Sequence, residues 1–132
     1  MAQRLLRKIM VVDDEVDIGE VVDFALVEVG GFDVLNCGRG REALAQAPDF
    51  QPDMILLDVM MPEMDGPETL AGFRHLPATA ATPVVFITAK VQPNEVEHYR
   101  SLGVADVIAK PFDPMALPSM LDEIWGRLQG TA

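Results

Sequence analysis

The sequence is poor in cysteine and in basic residues. Its one cysteine, Cys37, excludes an internal disulfide and any zinc or iron–sulfur site built from cysteines. Lys and Arg number 10 against 21 Asp and Glu, and the formal net charge is −11. Such a field repels nucleic-acid phosphates and anionic lipid, so we expect neither nucleic acid nor membrane as a partner.

Long apolar runs are also missing. No stretch approaches the ~18 apolar residues that a membrane-spanning helix requires, and the apolar segment near the N-terminus is too short for a signal peptide. Hydrophobic residues make up 49% and charged residues 23% of the chain, a balance typical of a folded domain rather than a disordered one. We therefore expect a cytoplasmic protein whose 132 residues form a single domain.

Five short apolar runs predict the strands of a sheet. They cover residues 9–12, 32–35, 54–57, 84–87 and 104–108. Runs that are apolar on both faces are typical of buried parallel strands rather than of half-exposed hairpins.

Helical periodicity fills the intervals between these runs. The predicted helical stretches are 18–29 with a stop at Gly30–Gly31, 43–47 with an end at Pro48, 70–73, 96–102 closed by Gly103, and 117–128. Pro118 removes a backbone donor near the start of the last helix, which predicts an irregular first turn. The alternation predicts an α/β fold with a five-stranded parallel sheet and helices on both faces.

Polar side chains follow four of the five predicted strands. They are Asp13 and Asp14 after the first, Asp58 after the third, Thr88 after the fourth and Lys110 after the fifth. Ligands of open α/β sheets bind beyond the carboxyl ends of the strands, so these residues form the candidate site.

Each of these residues also has an ordinary structural interpretation. An acidic residue such as Asp14 or Glu15 complements the dipole at the start of a helix, and an aspartate after a strand often caps a turn. Three neighbouring carboxylates nevertheless repel one another unless a cation offsets them. Carboxylates suit Mg²⁺, and a nucleophilic carboxylate with a nearby ammonium and hydroxyl suits phosphoryl transfer.

Four sequence blocks resemble the receiver domains of two-component response regulators. The blocks are VVDDE at 11–15, LDVMMPEMDG at 57–66, ITA at 87–89 and KPF at 110–112. The resemblance covers about residues 8–128 of the predicted domain 1–132. It implies a flavodoxin-like (βα)5 fold with strand order 2-1-3-4-5 and a signalling switch that accepts phosphoryl groups rather than an enzyme acting on other substrates.

The resemblance also implies a role for each site residue. Asp58 would be the phosphorylated residue, and Mg²⁺ would be bound by Asp14, Asp58 and the backbone carbonyl of Met60, with Asp13 acting largely through water. Lys110, the Thr88 hydroxyl and the Ala89 amide would contact the phosphoryl group, and the bond from Lys110 to Pro111 would be cis. The donor would be a phosphohistidine on a histidine kinase or phosphotransfer protein, and the output would be a changed surface, formed by the fourth helix, fifth strand and fifth helix, for an unknown downstream protein.

Val107 departs from the family pattern, and Met60 and Lys90 bear on how long the phosphoryl group would persist. Receiver domains usually carry Tyr or Phe three residues before the lysine, whereas this chain has Val107, so the usual ring movement cannot occur. Met60 and Lys90 resemble family positions that flank the acyl phosphate and tune its hydrolysis, and neither offers a group that orients an attacking water. The sequence therefore predicts a fairly long-lived phosphoryl state.

Three alternative functions depend on other motifs. An aspartate phosphohydrolase requires an Asp-x-Asp arrangement after the first strand, a flavodoxin-like carrier requires a hydroxyl- and glycine-rich loop there, and a calcium loop requires glycine at Ile18 and glutamate at Phe24. None of these requirements is met. A phosphorylation-independent interaction module and an intermediate in a phosphorelay stay open as alternatives. We also expect a stand-alone receiver.

Overall fold

Five parallel strands form the sheet that the apolar runs predict. In the structure, a computed structural model that describes residues 5–130, they are β1 (Lys8–Val12), β2 (Asp33–Cys37), β3 (Met54–Asp58), β4 (Val84–Thr88) and β5 (Asp106–Ala109). Their order across the sheet is β2-β1-β3-β4-β5, and every neighbouring pair is parallel. The predicted fold class and strand order are confirmed. The predicted domain 1–132 extends beyond the described residues at both ends.

Five helices connect and follow the strands. They are α1 (Val16–Phe24), α2 (Gly40–Phe50), α3 (Gly66–His75), α4 (Pro93–Ser101) and α5 (Leu117–Gly130). A π-helical turn, Ala25–Val29, extends α1, and a 3-10 turn, Pro114–Ala116, leads into α5. The predicted irregular start of the last helix is therefore confirmed.

The sheet separates two hydrophobic cores. Alternate β1 side chains point to opposite faces: Ile9 and Val11 pack with residues of α1 and α5, and Met10 and Val12 pack with residues of α2, α3 and α4. Leu121 and Phe73, one from each core, are fully buried. Burial of such a side chain stabilises the fold by roughly 1.5–3 kcal/mol, so both helical layers are held firmly against the sheet.

Two predicted boundaries were wrong. Helix α2 does not end at Pro48 but continues to Phe50. The proline lies in the last turn, where its missing N–H costs one hydrogen bond, and Gln51 then ends the helix with φ 54° and an N–H that donates to the Ala47 carbonyl at 2.8 Å. The last strand begins at Asp106 rather than at residue 104, because register pairing with β4 starts only at that residue.

The π-helical turn was not predicted. The Gly30 N–H donates to the Ala25 carbonyl at 3.0 Å, one residue further back than in an α-helix. Gly31 follows with φ +73°, which confirms the predicted helix stop at the glycine pair. Apolar periodicity shows that a helix is present but does not distinguish these two hydrogen-bond patterns.

Gly66 sets how closely α3 approaches the end of β3. A Cβ atom at this position would lie 2.8 Å from the Val59 Cα and 2.9 Å from the Asp58 carbonyl oxygen, and both are backbone atoms that cannot rotate away. The Gly66 N–H also donates to the Val59 carbonyl at 2.9 Å. Glycine is therefore required where the helix begins behind Asp58.

Substitution Gly66→Ala tests this close approach. We expect the free energy of unfolding to fall by about 1–3 kcal/mol, because the added methyl group forces backbone atoms apart. Gly126→Ala in α5 is the matched control, since a Cβ at Gly126 meets no atom within 4 Å; it should instead stabilise the protein by up to ~1 kcal/mol. Urea denaturation of the two variants measures both effects, and equal stabilities would contradict the steric argument.

Candidate functional site

The candidate site lies at the carboxyl edge of the sheet, as the strand ends predict. Asp13 and Asp14 follow β1, Asp58 ends β3, Thr88 ends β4 and Lys110 follows β5. The Val12 and Leu57 backbones are direct register partners, so the carboxylates after β1 and at the end of β3 meet across neighbouring strands.

Three carboxylates gather at this edge. Asp13, Asp14 and Asp58 each offer an oxygen that lies within 4.8 Å of the corresponding oxygens of the other two. Asp13 and Asp58 are only 7% and 3% exposed. Burial weakens screening by water, so their mutual repulsion is strong unless positive charge is nearby.

Lys110 supplies positive charge to this cluster. Its Nζ lies 3.3 Å from Asp13 Oδ2 and 3.3 Å from Asp58 Oδ2, and a third carboxylate oxygen, Glu15 Oε1, is 3.6 Å away. The Lys110 N–H donates to the Thr88 carbonyl at 2.9 Å, which fixes the residue at the end of β5 beside β4. The Lys110–Pro111 peptide bond is cis, as predicted.

Backbone amides orient two of the carboxylates. The Glu15 N–H donates to Asp13 Oδ1 at 2.8 Å, and the Met60 N–H donates to Asp58 Oδ1 at 3.3 Å. Each bond comes from a residue two positions further along the chain, so both carboxylates are held in local turns.

One oxygen of Asp14 has no protein partner. Among the described residues it is the buried side-chain oxygen that receives no hydrogen bond. A buried carboxylate oxygen without a donor is costly, and buried polar groups are nearly always satisfied by protein, water or an ion. The three carboxylates and this unpartnered oxygen fit a hard divalent cation such as Mg²⁺.

The charge of the cluster shifts two pKa values. Burial and the neighbouring Asp13 raise the pKa of the Asp58 carboxyl to about 6, although Lys110 and the Met60 N–H act in the opposite direction. For Lys110, burial lowers the pKa, but Asp13 and Asp58 outweigh that effect and leave the pKa of the ammonium above its ordinary value. The lysine therefore stays charged while Asp58 binds a proton unusually well for a carboxylate.

Thr88 and Ala89 lie on the β4 side of the cluster. Thr88 is 1% exposed, and its Oγ1 accepts a hydrogen bond from the Lys90 N–H at 3.0 Å. Ala89 and Lys90 are exposed, as is Met60 after Asp58. Ala89 and Lys90 follow β4, and Met60 follows β3, so these residues lie at the same edge of the sheet as Asp58.

Val107 is the residue at which the resemblance to receiver domains predicts an aromatic ring. It is half-buried and pairs in register with Phe86 of β4. The Phe86 ring packs edge-on against the Tyr99 ring of α4, with centroids 5.5 Å apart and planes at 81°. An aromatic side chain therefore enters this core from α4 instead of from β5, an arrangement that the sequence alone did not predict.

An apolar groove opens beside Lys110. It has a volume of about 470 Å³ and lies between the start of α1 and the segment after β5, where Ile18, Val21 and Phe112 line it. Glu15 and Lys110 border the same groove. Sequence reasoning missed both the groove and the Glu15–Lys110 contact, since each joins segments that are about 95 residues apart and carries no local motif.

The described residues include no helix that is both long enough and apolar enough to cross a membrane.

Comparison with known proteins identifies the family. The family model of the response regulator receiver domain matches residues 9–122. The transcriptional regulatory protein PhoP for alkaline phosphatase synthesis of Bacillus subtilis is 36% identical over 121 residues, covering 92% of this chain and 49% of PhoP. The DNA-binding response regulator MtrA of Mycobacterium tuberculosis is 36% identical over 111 residues, covering 84% of this chain and 47% of MtrA. The chain thus spans about half the length of these curated relatives.

A solved structure agrees with this assignment. The chemotaxis response regulator CheY4 of Vibrio cholerae superposes with a TM-score of 0.83 at 31% identity, covering 90% of this chain and 98% of that one. The sequence blocks, the strand order and the family match all agree. This chain belongs to the response regulator receiver domain family, which acts in two-component signalling.

Proposed function

We propose that this protein is a phosphorylation-dependent switch in which Asp58 accepts a phosphoryl group in a Mg²⁺-dependent reaction. The observation that carries the proposal is the buried Asp58 carboxylate, 3.3 Å from the Lys110 ammonium and grouped with Asp13 and Asp14. A structural ion pair needs one carboxylate per lysine, whereas this site concentrates three.

Asp58 is the proposed nucleophile. One carboxylate oxygen forms a bond to phosphorus, the bond from phosphorus to the imidazole nitrogen of the donor phosphohistidine breaks, and the electron pair leaves with that nitrogen. The product is an acyl phosphate on Asp58 and a free histidine on the donor. The protein would thus catalyse its own phosphorylation and dephosphorylation and would not turn over an external substrate as an enzyme does.

The other residues stabilise the transferring group. Asp14, Asp58 and the Met60 carbonyl are the proposed Mg²⁺ ligands, with Asp13 acting largely through water. When bound, Mg²⁺ supplies positive charge to the phosphoryl oxygens. Lys110 would exchange a carboxylate partner for a phosphoryl oxygen, while the Thr88 hydroxyl and the Ala89 N–H would donate to the others.

The groove beside Lys110 supports a protein as the phosphoryl donor. Its apolar lining from Ile18, Val21 and Phe112 adjoins the acceptor, so a helix of a histidine kinase or phosphotransfer protein that docks there would bring its phosphohistidine to Asp58. No Lys or Arg occurs between Lys8 and Arg39, and this acidic flank favours a donor surface with basic residues. We place this exchange in the cytoplasm.

The proposed output surface is formed by α4, β5 and α5. Asp106 of β5 joins all three elements, since its carboxylate is 3.4 Å from Arg100 Nη2 on α4 and 2.8 Å from Arg127 Nη2 on α5. Val107 provides no ring that could move with Thr88. Movement of Thr88 toward the phosphoryl group would therefore shift this surface through the β4 backbone and the Phe86–Tyr99 contact. The downstream partner would be another protein, with neither nucleic acid nor membrane bound directly by this acidic domain.

Phosphorylation of Asp58 can be tested by intact mass. Incubation with acetyl phosphate and Mg²⁺ should add one phosphoryl group to the wild-type protein and none to Asp58→Asn, because the amide is not a nucleophile. Asp65→Asn, which changes a capping residue outside the cluster, should still be phosphorylated. Chelation of Mg²⁺ with EDTA should abolish the gain in mass. An unmodified wild-type protein would support the phosphorylation-independent interaction module instead.

Met60 should prolong the phosphoryl state. The thioether cannot orient a water for attack, so Met60→Asn, which provides an amide at this exposed position, should release phosphate several-fold faster. Met115→Asn is the control, since Met115 is comparably exposed (47% against 59%) but lies on the 3-10 turn before α5. A time course of phosphate release after donor removal measures the rate; equal rates in wild type and Met60→Asn would refute the prediction.

The raised pKa of Asp58 predicts a pH-dependent stability in the absence of Mg²⁺. The folded pKa of about 6 exceeds the ordinary 3.8, so the folded protein binds this proton more tightly than the unfolded chain does. Ionisation of Asp58 therefore destabilises the fold, with no effect below about pH 4 and the full effect above about pH 6. Asp58→Asn should stabilise the protein at pH 7 by on the order of 2 kcal/mol.

Urea denaturation in EDTA at pH 4 and at pH 7 measures this difference. The gain of Asp58→Asn over wild type should be present at pH 7 and should shrink towards zero at pH 4. Asp122→Asn, which neutralises an exposed carboxylate of α5, is the control and should show no such pH-dependent gain. A gain of the same size at both pH values would mean that the charge of Asp58 is not its cause.

A further inference from the structure

Glu15 contacts the lysine of the site from the solvent side. Its Oε1 lies 3.6 Å from Lys110 Nζ, and its side chain is 57% exposed, whereas the side chains of Asp13 and Asp58 are each 4% exposed. Lys110 therefore contacts two buried carboxylates and one exposed carboxylate.

Helix capping does not explain this glutamate. Glu15 is the N-cap residue of α1, a position that favours Ser, Thr, Asp and Asn because their short side chains reach the first N–H groups. The Glu15 side chain makes no capping hydrogen bond. Its carboxylate extends towards Lys110 instead.

The contact lies where the groove meets the proposed acceptor, because Lys110 borders the groove and its Nζ is 3.3 Å from Asp58 Oδ2. We call this point the entrance. Glu15, Lys110 and Ala89 border the same groove, and Ala89 follows the strand end opposite Asp58. A phosphoryl group that reaches Asp58 carries negative charge past Glu15 and must take the place of a carboxylate at Lys110. Glu15 therefore opposes an incoming anion twice, by direct repulsion and by occupying the lysine.

We propose that Glu15 is a selectivity residue that disfavours small anionic phosphodonors, so that phosphoryl groups enter chiefly from a docked protein. This inference rests on the proposed function of Asp58. A donor protein offsets the repulsion with binding energy from the apolar groove beside Ile18 and Val21, whereas a free acyl phosphate makes no such contacts. Selectivity then follows from charge at the entrance and not from the shape of the acceptor.

The test compares two variants with the same change in charge. Glu15 and Asp17 both line the groove, and Glu15→Gln and Asp17→Asn each remove one negative charge from it. Of these two described residues, Glu15 is the one that contacts Lys110. The probe is acetyl phosphate with Mg²⁺. Asp58 forms a bond to phosphorus, the bond from phosphorus to the bridging oxygen breaks, and acetate leaves with the electron pair.

Glu15→Gln should raise the second-order rate constant for acetyl phosphate by roughly tenfold, and Asp17→Asn by less than about twofold. This gain should appear mainly as a lower concentration of acetyl phosphate at half the maximal rate, with the maximal rate itself little changed. Added salt should accelerate the wild-type protein and have less effect on Glu15→Gln, because salt screens an exposed charge. A purely structural role of Glu15 would not produce this salt dependence.

Two outcomes overturn the inference and leave the proposed function intact. If the two variants accelerate equally, the general field of the groove matters and the contact does not. If Glu15→Gln is slower than wild type, Glu15 assists phosphorylation instead of opposing it. Absence of phosphorylation in both the wild-type protein and Glu15→Gln, with Asp58→Asn as the blank, is a third and distinct result, and it would refute the proposed function itself.

Discussion

The burial of Asp58 beside two other carboxylates is the constraint on which the site depends. Neighbouring negative charges in a poorly screened environment repel one another, and the raised pKa of Asp58 reflects that cost. The compensating ammonium comes from Lys110, which follows a strand two positions away in the sheet. The Lys110 ammonium therefore offsets part of this negative charge only when β1, β3, β4 and β5 are assembled in their native order. The electrostatic energy of the site thus depends on the topology of the whole sheet.

The balance is also incomplete, and this has a functional meaning. Lys110 faces three carboxylates, and one oxygen of Asp14 receives no hydrogen bond within the described part of the chain. In the proposed function, Mg²⁺ would offset two of these negative charges and so weaken the repulsion between the site and an incoming phosphoryl group. A site neutralised fully by its own residues would have no electrostatic reason to bind either one.

The sequence predicts the site better than it predicts the surroundings of the site. Asp13, Asp58 and Lys110 are found because apolar strands are easily recognised and because parallel strands bring their carboxyl ends to one edge. The Glu15–Lys110 contact, the apolar groove and the Phe86–Tyr99 pair depend on distances between segments remote in the chain, for which the sequence holds no periodic signal. The end of α2 beyond Pro48 was missed for another reason, since a proline in the last helical turn costs too little to stop the helix.

The π-helical turn at the end of α1 gives the chain a tolerance for changes in length. Ala25–Val29 contains one residue more than an α-helical turn over the same path, as the bond between the Gly30 N–H and the Ala25 carbonyl shows. Loss of one residue here would convert the π-helical turn into a regular α-helical turn, so the helix would remain continuous. The glycine pair that follows can accommodate the small change in chain direction. A deletion of one residue in this turn would therefore leave β1, and with it the acidic residues that follow β1, in place.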